Sequence, residues 1–348
     1  MRFNNVNVEA LAYHLPDSVI TSEDLENRMA PLYEKLKLPL GRLQLMTGIR
    51  ERRFWDEGVM PSEISTLAGE KVLAKSGIDR SLIGCLISGS VCRDFLEPAT
   101  ASLIHHNLRL PEESQVFDIS NACLGVLNGM VHIANMIELG HIQAGLVVAG
   151  ENGGPLVFNT IETLLSTPGV TRKDIKKSFA SLTIGSAAVG VLLTHKNISQ
   201  TGHRLLGGVS FAATQFNDLC RGSESSGSSF KGAPLMDTDS ETLMKEGCAL
   251  AGETWQSFKR TMNWKNDDVD RVFCHQVGTM HRKLLLETIE MDLAKDFTTL
   301  ETLGNTGSAS LPVTLAMGEE QGVLQKGSHA ALLGIGSGLN SLMLGIEW

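Results

Sequence analysis

This chain of 348 residues has few aromatic residues, 5% of the total, and no run that approaches the ~18 apolar residues of a membrane-spanning helix. Its six cysteines form no C-x-x-C pair, and their spread predicts free thiols and no metal site. Residues 1–5 lack the apolar segment of a secretory signal peptide. These absences predict a soluble, cytoplasmic protein.

Positive charge is also in short supply, because 39 acidic residues outnumber 30 basic residues and the net charge is −9. Surfaces that bind nucleic acid carry a basic stripe, so we expect no nucleic-acid partner. Hydrophobic residues make up 42% of the chain, which is enough to bury a large core. The length fits two domains or one large domain.

Apolar runs of strand length alternate with helical patterns, which predicts an α/β sheet with helices on its faces. The predicted strands are residues 6–12, 82–90, 115–119, 144–149, 187–194, 204–213, 269–274, 330–335 and 342–346. The predicted helices are residues 64–76, 99–108, 124–139, 238–262 and 280–291, the fourth opened by the capping-box spacing of Thr238 and Glu241. The helix at 124–139 is apolar on most faces, which predicts a buried central helix. The Ser/Gly-rich segment 222–229 predicts a surface loop.

The order of elements starts again in the second part of the chain. We predict one half at residues 1–200, which contains Cys123, and a similar half at 201–348, which contains His275 and Asn305. No repeat is visible in the letters themselves, so this prediction depends on element order alone.

Cys123 lies where a short predicted strand ends, small residues turn and the central helix begins. A helix N-terminus presents free N–H groups and partial positive charge, which stabilise a thiolate and favour a nucleophile. The alternative is a small buried hydrophobic side chain, which is how a lone cysteine usually behaves.

Two further polar residues lie at similar junctions. His275 directly follows the predicted strand 269–274, and the carboxyl end of a strand is where open α/β sheets place their chemistry. Asn305 lies in a glycine-rich turn before a helix, where its amide could donate into a site. Taken alone, the first could be a structural histidine and the second an ordinary turn or cap residue.

Six motifs in order resemble the thiolase superfamily, specifically the ketoacyl synthase III group of condensing enzymes. They are the opening strand and turn at 14–21, T-G-I-R-E-R at 47–52, the nucleophile segment at 118–125, H-Q at 275–276, a G-N-T-S-S-like motif at 304–310 and a glycine turn at 334–339. The fifth motif is looser than the others, because Gly307 stands where the family usually has Ser.

The resemblance implies a five-layer αβαβα thiolase fold and a homodimer. It implies that Cys123 accepts an acyl group from a thioester, while His275 and Asn305 hydrogen-bond the second thioester and stabilise its enolate. The backbone amides of Cys123 and Ser337 would form the oxyanion hole. The reaction would be a Claisen condensation without a cofactor, the coenzyme A being part of the substrates.

Glu97, which precedes Pro98, sharpens the resemblance. Ketoacyl synthase III enzymes usually have a bulky apolar residue here, whereas residues 93–98 resemble the OleA-type, olefin-biosynthesis branch. There the glutamate reaches into the partner's active site as general base. Joining two acyl-CoAs without decarboxylation requires removal of an α-proton, so a base is needed. The alternative is a solvated loop carboxylate.

Residues 217–222, 334–340 and 347–348 also resemble this branch. Arg42, Met46 and Met280 depart from the coenzyme A and carrier-protein contacts of ketoacyl synthase III, and Arg282 and Lys283 are possible replacements.

The predicted function is head-to-head condensation of two long-chain fatty acyl-CoAs to a 2-alkyl-3-oxo acid, with downstream lipid-pathway enzymes as possible partners. The first alternative is a decarboxylating 3-oxoacyl synthase III that uses malonyl-carrier protein. Two others are a papain-like cysteine protease, which shares the order Cys, His, Asn, and a protein that binds acyl-CoA without turnover.

Overall fold

The computed structural model describes residues 1–223 and 235–348. Its strands are β1 (Val6–His14), β2 (Ser18–Thr21), β3 (Glu51–Phe54), β4 (Ile83–Ser88), β5 (Gln115–Asp118), β6 (Ala144–Glu151), β7 (Ala187–His195), β8 (Arg204–Ala212), β9 (Cys220–Ser223), β10 (Leu235–Thr238), β11 (Arg271–Cys274), β12 (His329–Gly336) and β13 (Asn340–Glu347).

The α-helices of the described residues are α1 (Ser22–Arg28), α2 (Ala30–Leu36), α3 (Arg42–Thr47), α4 (Pro61–Ser76), α5 (Thr100–Leu108), α6 (Gly125–Glu138), α7 (Gly154–Ser166), α8 (Arg172–Leu182), α9 (Ser240–Met262), α10 (Thr279–Thr288), α11 (Leu300–Leu303) and α12 (Ser310–Glu320). All nine predicted strands and five predicted helices are present, with ends that differ by a few residues.

Nine strands form one sheet in the order β11-β12-β13-β8-β1-β7-β6-β4-β5. Between β8 and β1 only one residue pair, Asn7 with Arg204, is in register, so the sheet consists of two joined parts. In the first part β4 is parallel to β5 and β6, and β7 is antiparallel to β6 and β1. In the second part β11 is parallel to β12, and β13 is antiparallel to β12 and β8. The four strands of the second part follow the order of four strands in the first, since β11, β12, β13 and β8 correspond to β4, β6, β7 and β1, and the edge strand β5 has no counterpart. The predicted boundary at residue 200 falls between β7 and β8.

The packing confirms the predicted five-layer thiolase fold. Helices α4 and α5 pack on one outer face of the first sheet part, and α9 and α10 pack on the outer face of the second. Helices α6 and α12 lie between the two parts and share one apolar core with both. Helices α1–α3, α7 and α8 contribute to a further cluster beside these layers.

The central helix α6 starts unusually close to β4. A Cβ added at Gly125 would lie 1.9 Å from the carbonyl oxygen of Gly89, so only glycine fits at this first helical position. Because Gly125 lies two residues after Cys123, this close approach fixes the turn that carries the cysteine.

The start of α9 differs from the prediction. Thr238 ends β10 and is paired with Cys220, whereas Asp239 caps the helix by accepting a hydrogen bond of 3.2 Å from the Thr242 N–H. Of the predicted loop at 222–229, Gly222 and Ser223 belong to β9, and residues 224–229 lie outside the described residues.

Candidate active site

Cys123 lies in a short 3₁₀ turn, Ala122–Leu124, that joins the end of β5 to α6. The turn packs against β12 and against a second 3₁₀ turn, Gly307–Ala309. Burial raises the pKa of the Cys123 thiol to about 12, and the nearby Glu151 carboxylate adds to the rise. The thiol is therefore protonated at neutral pH, and the helix N-terminus does not by itself produce a thiolate.

The glycine turn between β12 and β13 lies beside the cysteine. A Cβ added at Gly336 would lie 3.6 Å from the Cys123 nitrogen. The Asn340 amide donates hydrogen bonds of 3.3 Å to both Asn121 and the Ser337 carbonyl, which joins the two turns. Ser337 is thus next to the Cys123 segment, while the use of its amide in an oxyanion hole stays a prediction.

His275 follows the last residue of β11, and its backbone N–H donates to the Leu333 carbonyl of β12. Its side chain is 5% exposed. Burial, with a smaller effect of His281, lowers the pKa of His275 to about 3, so the imidazole is neutral at pH 7. Among residues 1–223 and 235–348, Nδ1 of His275 has no hydrogen-bond partner. Because a neutral imidazole donates from one ring nitrogen only, His275 can offer a ligand one N–H donor.

Gln276 anchors the histidine. Its side-chain oxygen accepts hydrogen bonds from the Thr298 hydroxyl and the Thr299 N–H, at 3.2 and 3.1 Å, and its NH₂ group donates to Thr314. These contacts tie the end of β11 to α12 and to the segment before α11. In the H-Q pair, the His275 side chain therefore belongs to the site, and the Gln276 side chain holds this segment in place.

Asn305 is fixed from both sides. Its backbone exchanges hydrogen bonds of 2.9 Å with Thr183 and Gly185, and its side-chain oxygen accepts one of 3.1 Å from the Gly307 N–H. Since the oxygen is occupied within the turn, the NH₂ group is the part of the amide that can donate to a ligand. This orientation suits the predicted role of Asn305.

Glu151 is a residue of this site that the sequence analysis missed. It ends β6, is 3% exposed, and accepts hydrogen bonds from the N–H groups of Val91, Cys92 and Ser308. The sequence analysis identified His275 from its position just past a predicted strand. Glu151 also lies just past a predicted strand, so the same signal could have identified it.

Glu97 lies apart from the buried residues. It is exposed at the tip of the loop between β4 and α5, beside Leu96, which is 77% exposed. Within its own chain, Glu97 is therefore on the surface.

Two residues that depart from the ketoacyl synthase III contacts are on the surface, and the two possible replacements are paired with acidic residues. Met46 and Met280 are exposed, whereas Arg282 is bound to the buried Asp296 and Lys283 lies 3.8 Å from Glu287. The described part of the chain contains no group of three His, Cys, Asp or Glu residues that could hold a metal ion. None of the helices described is long and apolar enough to span a membrane.

Two family descriptions match the sequence. Residues 45–178 match "Thiolase, N-terminal domain", and residues 260–348 match "3-Oxoacyl-[acyl-carrier-protein (ACP)] synthase III C terminal". The acyl-CoA:acyl-CoA alkyltransferase of Shewanella oneidensis is 44% identical over the full length of both chains. The enzyme of the same name from Xanthomonas campestris is 36% identical, again over both full lengths.

The chain belongs to the acyl-CoA:acyl-CoA alkyltransferase family.

The fold agrees with this family. A crystal structure of cerulenin-bound OleA from Xanthomonas campestris has a TM-score of 0.94 and 36% identity, covering 100% of this chain and 98% of that chain. Another OleA structure, with bound lauric acid and lauroyl-CoA, has a TM-score of 0.93 and covers 99% of this chain. A beta-ketoacyl-[acyl-carrier-protein] synthase III of Koribacter versatilis is 25% identical.

Membership of the alkyltransferase family makes the chain an acyltransferase with a thiolase fold. The papain-like alternative is therefore wrong, since both the fold and the enzyme class differ from those of a cysteine protease.

Proposed function

We propose that this protein condenses two long-chain fatty acyl-CoAs head to head, without decarboxylation, and releases a 2-alkyl-3-oxo acid. The observation that carries the proposal is the position of Glu97. Its loop is fixed at both ends and presents a carboxylate outward, as a base that acts in a second copy of the chain requires.

The start of the loop is held by buried hydrogen bonds. The Ser90 hydroxyl accepts from the Gly150 N–H, and the Val91 and Cys92 N–H groups donate to Glu151. These contacts fix the direction in which the loop leaves β4.

The far side of the loop is held as firmly. Asp94 accepts a hydrogen bond of 2.8 Å from the Ser62 N–H, and its own N–H donates to the Thr100 hydroxyl. The tip between these anchors exposes Leu96 and Glu97. A fixed tip that presents a carboxylate outward is what a base shared between the two subunits of a homodimer would require.

The first half-reaction uses Cys123. Its sulfur attacks the carbonyl carbon of one acyl-CoA and forms an acyl-Cys123 thioester, and the thiol proton leaves with the displaced coenzyme A. The amides of Cys123 and Ser337 stabilise the negative oxygen that develops on the acyl carbonyl. Because the thiol is protonated before substrate binds, proton transfer accompanies the attack.

The second half-reaction uses the other three residues. Glu97 of the partner subunit removes an α-proton from the second acyl-CoA, and His275 and Asn305 donate hydrogen bonds to the resulting enolate oxygen. The enolate carbon attacks acyl-Cys123 and releases the thiol. Water then hydrolyses the remaining thioester, with Glu97 or a water that it activates, so that two acyl-CoAs and one water give one 2-alkyl-3-oxo acid and two coenzyme A.

The comparisons support the proposed roles of Glu97 and Cys123. Solved OleA structures include variants that replace one cysteine, one glutamate and one histidine. The replaced glutamate precedes the replaced cysteine by 26 residues, and Glu97 precedes Cys123 by the same 26 residues.

The test is incubation of the purified protein with each of a series of saturated acyl-CoAs and no malonyl thioester. We expect two coenzyme A released per 2-alkyl-3-oxo acid, or per the ketone that forms from it by loss of CO₂, and an acyl adduct on Cys123 by intact-mass spectrometry. An adduct without a condensation product would contradict the proposal. Binding without an adduct would indicate the binding-protein alternative.

The decarboxylating reaction is the second candidate, because residues 260–348 match the C-terminal part of 3-oxoacyl synthase III. There the carbanion arises by loss of CO₂ and needs no base at position 97. Product that forms only after malonyl-carrier protein is added, and equally well with Glu97→Ala, would favour it.

A further inference from the structure

The Glu151 carboxylate joins two segments that are far apart in the sequence. Oε1 accepts hydrogen bonds from the Val91 N–H, at 2.9 Å, and from the Ser308 N–H, at 3.0 Å. The Ser308 hydroxyl donates to the same oxygen, and the Cys92 N–H donates to Oε2 at 3.2 Å. The four donors satisfy the polar atoms of this buried carboxylate.

Both segments lead to residues of the proposed reaction. Val91 and Cys92 begin the loop whose tip carries Glu97, and Ser308 follows Asn305 by three residues. Glu151 is therefore bonded to the loop of the base on one side and to the turn of the enolate-binding amide on the other.

The turn is shaped around this carboxylate. Gly307 has a φ of 58°, and a Cβ added to it would lie 3.0 Å from both Cδ and Oε1 of Glu151. The Ser that the family usually has at this position would press on the carboxylate. Gly307 and Glu151 therefore fit as a pair in this chain.

We propose that Glu151 is a positioning residue for the condensation, which fixes the Glu97 loop to the Asn305 turn and places a negative charge beside the Cys123 thiol. This inference rests on the proposed function. Ser308, which is bonded to Glu151, lies in the turn Gly307–Ala309 that packs against the Cys123 turn. In keeping with this position, the Glu151 charge adds to the effect of burial in raising the pKa of Cys123.

Both oxygens of Glu151 accept hydrogen bonds and neither donates, so this position requires a carboxylate. In Glu151→Gln one oxygen becomes an NH₂ group, which would face N–H donors and leave them unsatisfied. We therefore expect Glu151→Gln to loosen one of the two segments and to remove the charge near Cys123.

The first readout is alkylation of Cys123 by iodoacetamide as a function of pH, followed by peptide mass spectrometry, since the chain has six cysteines. A purely structural role of Glu151 would not lower the pH at which the thiol becomes reactive. We expect the alkylation rate of Cys123 at a fixed pH below its pKa to rise roughly tenfold in Glu151→Gln, as for a fall of one pH unit in the pKa. An unchanged profile would overturn the placement of charge beside the thiol.

The second readout separates the half-reactions. With long-chain acyl-CoA, we expect Glu151→Gln to retain the acyl adduct on Cys123 while condensation falls at least tenfold further than acylation. If Glu151→Gln acylates and condenses at the same rates as the parent, the positioning role is refuted, whereas the proposed function stands. If the parent makes no condensation product, the proposed function fails instead, and the alkylation profile still tests the charge.

Glu9→Gln is the matched control, because Glu9 is also buried and accepts hydrogen bonds from Thr194, Ser199 and Gln200, away from the Glu97 loop. We expect it to lower stability without moving the alkylation profile of Cys123. If Glu151→Gln fails to fold, Glu151→Asp keeps the charge on a shorter side chain. The inference then requires a nearly unchanged profile together with reduced condensation, and normal condensation would overturn it.

Discussion

Asp118 and Thr100 connect the segment of the nucleophile to the loop of the base. The Asp118 carboxylate, five residues before Cys123, accepts hydrogen bonds from the Thr100 N–H at 2.9 Å and from the Ala101 N–H at 2.8 Å. It thereby caps α5, the helix that follows Glu97 and Pro98. The direction in which Glu97 points thus depends on a carboxylate from the neighbouring strand.

Asp118→Ala is expected to lower the free energy of unfolding by about 1–3 kcal/mol, because two charge-assisted hydrogen bonds to a helix N-terminus are lost. Condensation should fall more than acylation of Cys123, since the loop moves and the thiol stays. Thermal unfolding and the ratio of condensation product to acyl adduct measure the two effects. Asp239→Ala removes the cap of α9 and serves as the control, in which that ratio should not change.

The sequence predicts the strands, the central helix and the positions of Cys123, His275 and Asn305, because each depends on a local pattern around one junction. The roles of Asp118 and Glu151 depend on contacts that are distant in sequence, such as the one between Glu151 and Ser308, 157 residues apart. Local spacing does not reveal such contacts.

The start of α9 illustrates the same limit. Thr238 with Glu241 and Asp239 with Thr242 both have the spacing of a helix cap. The pairing of Thr238 with Cys220 in the β9–β10 ladder leaves Asp239 as the cap.

Gly307→Ala is expected to destabilise the protein more than Gly322→Ala. Both glycines have positive φ, 58° and 68°, so both alanines incur the strain of the left-handed conformation, roughly 1 kcal/mol. Only at Gly307 would the new Cβ also press on Glu151, whereas at Gly322 it would meet no described atom within 4 Å. Chemical denaturation should give a difference of at least about 1 kcal/mol between the variants. Equal losses of unfolding free energy in the two variants would mean that the turn at Gly307 shifts and so avoids the contact with Glu151.

The buried histidines should make the protein sensitive to acid. Burial lowers the pKa of His281 from 6.5 to about 4, so the unfolded chain binds more protons than the folded chain between these values. Stability therefore rises with pH across this window and is lost as the pH falls towards 4. In His281→Leu, the slope of unfolding free energy against pH between 5 and 6 should decrease by up to about 1.4 kcal/mol per pH unit. The same substitution at Asn107, which is exposed and has no titratable side chain, should leave that slope as it is in the parent.

Glu97 gives the sharpest prediction, because its proposed action crosses the subunit boundary. Glu97→Ala should acylate Cys123 normally and form no condensation product, since the α-proton stays on the second acyl chain. Glu113→Ala removes another exposed glutamate, beyond α5, and should condense at the parent rate.

A mixed dimer of Cys123→Ala and Glu97→Ala chains contains one site with an intact cysteine and an intact partner glutamate, so it should recover about half of the parent activity. If Glu97 instead serves its own chain, each site of the mixed dimer lacks one residue, and no activity returns.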